Sequence, residues 1–434
     1  MQIESVVVET LSPVRRRVQI EVPASEVQGE FDRAYASVGR EARIRGFRQG
    51  RVPRAVLERM FGDQVQREVL ARLVEHSFHH AIESERLDVV GTPEIDADSV
   101  TPGASLKYSA TVDVRPIITI NQTSGIDIVR PVYEVADSDV EQVLTSMRES
   151  VAHLRPIEDR TVIESGDIVT INVAMGLEGG ESQRREGAMV EAGSGSFPLA
   201  IERQLVGQHK GTRLSVDVPY PAEYGNPSLA GKTVRFDVEI VDVKAKELPP
   251  LDDDFARDHG RAESLAELRG TIRADLEAQA SARADAAVQQ ALADVLVERH
   301  PFDVPSSLVD RRCEALLASF DVRIPEGPQG AELLERLRAD VRPRAERDVR
   351  VDLLLDAIAA VRGVTTDDTE IDAEIDTLAR RQEQAPERIR AFYERPEARH
   401  ALRSRMGREK TLALVLADAN VTARVMPKDV ARAE

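Results

Sequence analysis

Cysteine, tryptophan and aromatic bulk are scarce in this 434-residue chain. Its single cysteine, Cys313, excludes an intrachain disulfide and a thiolate metal cluster. Tryptophan is absent and aromatics make up only 4% of residues, so any apolar binding surface must be mainly aliphatic. No run approaches the roughly 18 apolar residues that a membrane-crossing helix needs. Met1 to Thr10 alternates apolar and polar residues, without the basic and apolar stretches of a signal peptide, so a cytoplasmic location and no membrane partner are expected. Positive charge is in deficit too, with 58 Lys and Arg against 76 Asp and Glu and a net charge of −18. That balance favours solubility and argues against broad binding to nucleic acid or anionic lipid; a nucleic-acid contact would need a local basic patch.

Hydrophobic residues reach 42%, and the length suits two to four domains. The patterning changes along the chain and predicts an α+β multidomain protein. Residues 1–115 read as α+β. Strands are expected around Val6 to Val8, over Arg17 to Val22, and near Leu106 to Val114. Ser25 to Gln28 matches a capping box ahead of the stripe Val27, Phe31, Tyr35 and Val38. Pro53 is placed to start a helix through Val56, Leu57 and Met60, and Val65, Val69, Leu73 and Ile82 suggest a third helical stretch. Residues 116–160 look like a connector packing with the helical region, extended at Ile126 to Val129, with Asp137 as a helix cap.

Residues 161–246 become β-rich. Alternation at Val169, Ile171 and Val173, at Leu214, Val216 and Val218, and at Val234, Phe236, Val238 and Ile240 predicts an antiparallel sheet. A short helix over Ala200 to Val206 would pack on it. After Asp252 to Asp254, which read as a cap or a solvated linker, residues 247–434 are rich in Ala, Arg, Glu and Leu with helical stripes throughout.

Most of the candidate chemistry reads as ordinary structure. His76, His79 and His80 share a helical stretch but have neither an HExxH arrangement nor a nearby Cys, so no metal site is expected. Gly231-Lys232-Thr233 fails as a phosphate loop, because its glycine spacing is wrong and a strand follows it where a helix is needed. Neither a nucleotide nor any other cofactor is implied. The exception is a basic loop, where Arg43, Arg45, Arg48, Arg51 and Arg54 fall within a dozen residues. Gly46 and Gly50 bracket Phe47-Arg48-Gln49, so the backbone can turn tightly and present a ring at the tip. An exposed Phe is a typical anchor for a partner's pocket, and flanking arginines pair with phosphates or carboxylates.

Gly46-Phe47-Arg48-Gln49-Gly50-Arg51-Val52-Pro53, followed by Phe61-Gly62, resembles the ribosome-docking signature of bacterial trigger factors, a glycine-bounded Phe-Arg-Lys tip before a proline-started helix. Gln49 replaces the Lys. Leu248 to Phe255, Val304 to Leu308 and Lys410 to Asn420 resemble further family segments in family order. The resemblance spans essentially the whole chain. It implies a ribosome-binding domain over 1–115, a connector over 116–160, an FK506-binding-protein-type (FKBP-type) prolyl isomerase domain over 161–246 and a helical chaperone domain over 247–434. It further implies docking at the exit-tunnel rim, on a ribosomal protein and adjoining rRNA, by Arg45, Gly46, Phe47, Arg48, Gln49, Gly50 and Arg51. Nascent unfolded polypeptides would be the clients, no ATP would be used, and a weak homodimer is expected off the ribosome.

Prolyl isomerisation needs no acid–base pair, only an apolar pocket that favours the twisted amide over a barrier of roughly 18–20 kcal/mol. The family pocket is lined by aromatic rings, and Tyr224 and Phe236 stand where two are expected, while Glu202, Leu205 and Gly207 preserve the following helix. Val173 replaces a ring, Ser182 and Gln183 replace an aromatic–acid pair, and Phe197 to Glu202 places Ile201 at another ring position. No catalytic residue is assigned; Val173, Phe197, Ile201, Tyr224 and Phe236 are the pocket candidates, and weak or absent activity is expected. Three readings follow: a ribosome-associated chaperone, an active isomerase delivered by its other domains, and an acidic helical scaffold. The pocket departures favour the first over the second, and the arginine loop disfavours the third.

Overall fold

A computed structural model describes residues 2–45, 47–48, 50–157, 160–176, 183–195, 197–221, 223, 229–320, 324–325, 327–381 and 386–427. The first elements are β1 (Ser5–Ser12), β2 (Arg15–Val22), α1 (Ala24–Glu41), α2 (Arg54–Ser84), β3 (Val89–Ala97) and β4 (Leu106–Val114). The four strands form an antiparallel sheet in the order β1-β2-β4-β3. Period-two alternation turns Val18, Ile20 and Val22 inward from β2, and Leu106, Tyr108, Ala110, Val112 and Val114 inward from β4. The register sets Val18 opposite Ala110, Ile20 opposite Tyr108 and Val22 opposite Leu106. Against this face pack Val27, Phe31, Ala34 and Tyr35 of α1, and Leu57, Val65, Val69 and Leu73 of α2. Tyr108 finds a buried partner for its hydroxyl in Ser77 Oγ at 2.7 Å.

Two local expectations are corrected. The Ser25–Gln28 capping box is not used: α1 starts at Ala24 behind Pro23, which makes no side-chain cap, and the Pro23 carbonyl accepts from Glu26 N and Val27 N. The two helical stretches after Pro53 are one 31-residue helix, α2, because the buried stripe from Leu57 through Leu73 continues past Gly62 without interruption.

Next along the chain come β5 (Asp127–Val132), α3 (Asp137–Ser150), β6 (His153–Pro156), β7 (Ile168–Gly176), β8 (Gln183–Glu191), α4 (Leu199–Leu205), β9 (Arg213–Pro219), β10 (Thr233–Glu247) and α5 (Asp253–Asp258). Asp137 opens α3 instead of capping it; the Asp139 carboxylate accepts from Ala136 N at 2.8 Å. Strands β6-β10-β7-β8 form a sheet in that order, with β9 also on β10 and every pairing antiparallel. Asp252 caps α5, its carboxylate accepting from Phe255 N at 3.0 Å. The rest is α6 (Leu265–Arg299), α7 (Ser306–Ser319), α8 (Pro328–Arg362), α9 (Asp368–Arg381), α10 (Pro386–Tyr393), α11 (Pro396–Ala417) and β11 (Asn420–Val425). An α+β protein with an antiparallel-sheet middle and a helical C-terminal region is therefore what the chain builds.

The chain divides into two compact units, residues 1–130 with 286–424, and residues 131–285 with the last residues from Val425. Within the first, Ile126 and Ile128 share a core with Leu292, Leu296, Leu354, Ile358 and Val415. In the same unit the Asp113 carboxylate of β4 accepts from Ser307 N at 2.8 Å and Ser306 Oγ at 3.2 Å, so it caps α7, whose own N-cap, Pro305, offers no side-chain acceptor. The second unit holds the middle-sheet core, and another cluster in which Val140 and Leu144 of α3 pack with Phe255, Leu268 and Ile272.

Candidate functional site

The loop joining α1 to α2 is held by its apolar residues and leaves its charges outside. Ala42 N donates to Val38 O at 2.8 Å, closing α1, and Ile44 and Val52 are half-buried against the N-terminal core. Between these anchors Arg43, Arg45, Phe47, Arg48, Gly50 and Arg51 are exposed, Phe47 to 41%. Phe47 N donates to Ile44 O at 3.1 Å, and Arg51 N to Arg48 O at 2.9 Å. The second turn has Gly50 at its third position with φ 77°, in the left-handed region that a side chain strains to adopt. Gly46 and Gln49 lie outside the described residues. Among the described residues Arg43, Arg45, Arg48 and Arg51 have no ion-pair partner. Four unpaired like charges beside an exposed ring, on a protein of net charge −18, form a local site for an anionic, partly apolar partner.

Arg54 does not belong with the other four. It is paired to Asp32 and Glu58 and lies over the Tyr35 ring. The sequence-level grouping of five arginines thus becomes four outward charges and one structural one. Ile44 and Val52 were missed as loop anchors; their spacing on either side of the charged run was the available signal.

In the middle sheet, Val173 of β7, Ile201 of α4 and Phe236 of β10 join one core cluster, with Phe197 packed against it. Val238 of β10 pairs with Val173, and Phe236 pairs with Met175 on one side and Val216 on the other. Val173, Ile201 and Phe236 are 7%, 0% and 5% exposed, so little of their surface remains to touch a ligand. Tyr224 and Ser182 lie outside the described residues, and Gln183 is exposed at the start of β8. Glu202 is fully buried, and its carboxylate accepts from Gly195 N at 2.7 Å and Phe197 N at 2.6 Å. It fixes the strand-to-helix connection and has no room for acid–base work. Met175 and Tyr220 also pack on this core, a contribution that strand alternation and one turn position left unmarked. His76, His79 and His80 lie exposed on α2, and among the described residues no group of three or more His, Cys, Asp or Glu is placed to hold a metal ion.

Comparison with known proteins matches residues 4–147 to the family model described as bacterial trigger factor protein, and residues 264–417 to the one for its C-terminus. Residues 159–241 match the FKBP-type peptidyl-prolyl cis-trans isomerase model. The trigger factor of Geobacter metallireducens is 34% identical over 422 residues, covering 96% of this chain and 98% of that one. The chain belongs to the trigger factor family. Trigger factor of Geobacter sulfurreducens is 32% identical over 422 residues, 96% of this chain and 98% of its own. A solved structure of the trigger factor chaperone is similar at 21% identity and a TM-score of 0.45, covering 95% of this chain and 99% of that one.

Membership assigns the function at the level the family carries. This is a ribosome-associated chaperone of nascent chains with an FKBP-type domain in its middle. Among the described residues no helix is long and apolar enough to cross a membrane.

Proposed function

We propose that the chain docks at the rim of the ribosomal exit tunnel, on a ribosomal protein and adjoining rRNA, through Arg45, Gly46, Phe47, Arg48, Gln49, Gly50 and Arg51. The observation that carries this reading is the exposed Phe47 ring among four arginines without ion-pair partners. The ring supplies an apolar anchor, and the guanidinium groups supply bidentate phosphate or carboxylate contacts. Gln49 adds a hydrogen-bonding group without charge, so Arg45, Arg48 and Arg51 carry the electrostatic part. Residues 1–115 serve as the docking domain, 116–160 as connector, 161–246 as the FKBP-type domain and 247–434 as the client-binding domain. The protein works in the cytoplasm and forms a weak homodimer when off the ribosome.

Ribosome co-sedimentation of the wild type against Phe47→Ala with Arg48→Ala tests the docking. A loss of about thirtyfold or more in affinity is expected, the size of a central hot spot. Equal binding refutes docking through this loop.

The FKBP-type domain retains its fold with weak or absent isomerase activity. The near-complete burial of Val173, Ile201 and Phe236 supports this reading, because a pocket must present its lining to the proline ring. A cis/trans assay of the full chain on a short X-Pro peptide decides it: a rate equal to that of well-formed FKBP-type domains establishes the active-isomerase reading instead.

A further inference from the structure

Arg54 stands at the first position of α2, immediately behind Pro53, where the loop ends. Its Nε donates to Glu58 Oε1 at 2.8 Å, one turn along the same helix. Its Nη1 donates to Asp32 Oδ1 on α1, and that oxygen also accepts from Gln28 Nε2 at 2.9 Å. The guanidinium carbon sits 5.0 Å from the centre of the Tyr35 ring, which is itself stacked on Phe31 at 6.3 Å. Two contacts thus tie the start of α2 to the side of α1, the ion pair with Asp32 and the guanidinium over the Tyr35 ring. The Arg54 bond, and then the one from Gln28, hold the Asp32 carboxyl below its usual range.

Beyond Tyr35, α1 runs six more residues to Glu41, about 9 Å at 1.5 Å per residue, before the loop begins. The other end of the loop has no such overhang, because α2 begins at Arg54 itself. The angle at which the loop leaves the hairpin is therefore set where Arg54 meets Asp32 and Tyr35. Beside it the helices approach closely: a Cβ on Gly39 would lie 3.2 Å from Leu57 Cδ1. Without the Arg54 contacts, the loop would have to be ordered on binding, which weakens association.

We propose that Arg54 is a positioning residue for ribosome docking, pinning the start of α2 to α1 so that Phe47 and the four outward arginines are presented in one orientation. The inference rests on the docking reading above. A direct phosphate contact from Arg54 fits the geometry poorly. Asp32 and Glu58 outweigh its single charge, and its flat face is taken by Tyr35. A role confined to global stability fits poorly too. The Arg54, Asp32 and Glu58 side chains keep 43%, 52% and 47% of their surface in solvent, and ion pairs that exposed contribute little to folding.

The test is a titration of ribosomes with the full chain at several salt concentrations, with melting of each variant measured alongside. Arg54→Ala is expected to weaken binding about three- to tenfold, the scale of ordering a few side chains on association. The slope of log affinity against log salt should stay unchanged, whereas a lost phosphate contact would lower it by about one. Asp32→Asn is the decisive variant. It makes the surface more positive, so a phosphate-binding Arg54 predicts equal or tighter binding, while a positioning Arg54 predicts weaker binding. Arg54→Lys should recover little, since an ammonium cannot reproduce the planar fork and ring stacking. Wild-type affinity in Asp32→Asn, or in Arg54→Ala while Phe47→Ala with Arg48→Ala loses binding, overturns the positioning role and leaves the docking loop standing. Wild-type affinity in the Phe47→Ala, Arg48→Ala double variant overturns both.

Discussion

Phe47 keeps 41% of its surface in solvent, whereas Val173, Ile201 and Phe236 keep 7%, 0% and 5%. All four are apolar side chains at positions that the family resemblance marks as functional, yet their neighbours assign them opposite work. Around Phe47 the described residues are exposed arginines and a glycine at φ 77°, with Ile44 and Val52 packed against the N-terminal core. Ile201 shares its core cluster with inward apolar residues of β7, β8, β9 and β10, and the carboxylate of Glu202 ties the preceding turn. The proposed docking loop and the proposed degenerate pocket therefore differ in what a substitution should disturb. Changes in the loop should register in binding, and changes in the pocket should register in folding.

The largest effect that separates the two regions is expected at Ile201. Ile201→Ala leaves a cavity beneath α4 and should destabilise the middle domain by about 2–5 kcal/mol. Ile201→Phe, which restores a ring at a pocket position, should still destabilise by about 1–3 kcal/mol, because a fully buried site has no space for it. Calorimetry of the full chain should show the middle transition lowered in both variants, with ribosome affinity unchanged. If Ile201→Phe instead raises the cis/trans rate on an X-Pro peptide without loss of stability, the position lines a pocket and the contrast with the loop collapses.

Gly50→Ala probes the other region with a smaller effect. Among the described residues, chain neighbours aside, no atom lies within 4 Å of a Cβ placed there, so the left-handed backbone opposes the change, by about 1–2 kcal/mol. If docking through the loop keeps that turn, ribosome affinity should fall about five- to thirtyfold while melting of the core stays put. Unchanged affinity would mean that the bound loop does not keep the turn closed by Arg51 N and Arg48 O.

The contrast also explains what the sequence could reveal. The loop is contiguous, so its glycines, ring and arginines are visible within a dozen residues, and strands such as β2 and β4 announce themselves by alternation. The exclusion of Arg54 from the basic group was only half legible, because Glu58 follows one helical turn on while Asp32 lies 22 residues earlier on another helix. The pocket is assembled from β7, α4 and β10, which are brought together only by long-range pairing, so only the family resemblance could nominate its members. Strand β8 escaped notice because only Ala188 and Val190 of its nine residues are buried, and β11 because all six of its residues are exposed. The compact units are discontinuous in sequence, and composition cannot report which distant segments share a core.

The smallest effect at neutral pH falls on the N-terminal core, where Tyr108 and Ser77 meet. Burial pushes the Tyr108 hydroxyl up to about 12, against a smaller opposing pull from the Ser77 hydrogen bond. The unfolded chain releases this proton near pH 10, whereas the folded core holds it until about 12. Between those values the unfolded state binds fewer protons, so stability contributed by the neutral hydroxyl is full below pH 10 and is lost as pH rises toward 12. Tyr108→Phe should remove that alkaline loss from the N-terminal transition. At pH 7 it should cost about 0.5–1.5 kcal/mol, since Ser77 Oγ keeps its bond to Leu73 O at 2.6 Å. The middle-domain transition should move with pH identically in the two proteins, which makes the difference between them a reporter for the N-terminal core. An alkaline shift that survives Tyr108→Phe would place its origin in other titrating groups and not in the Tyr108 hydroxyl.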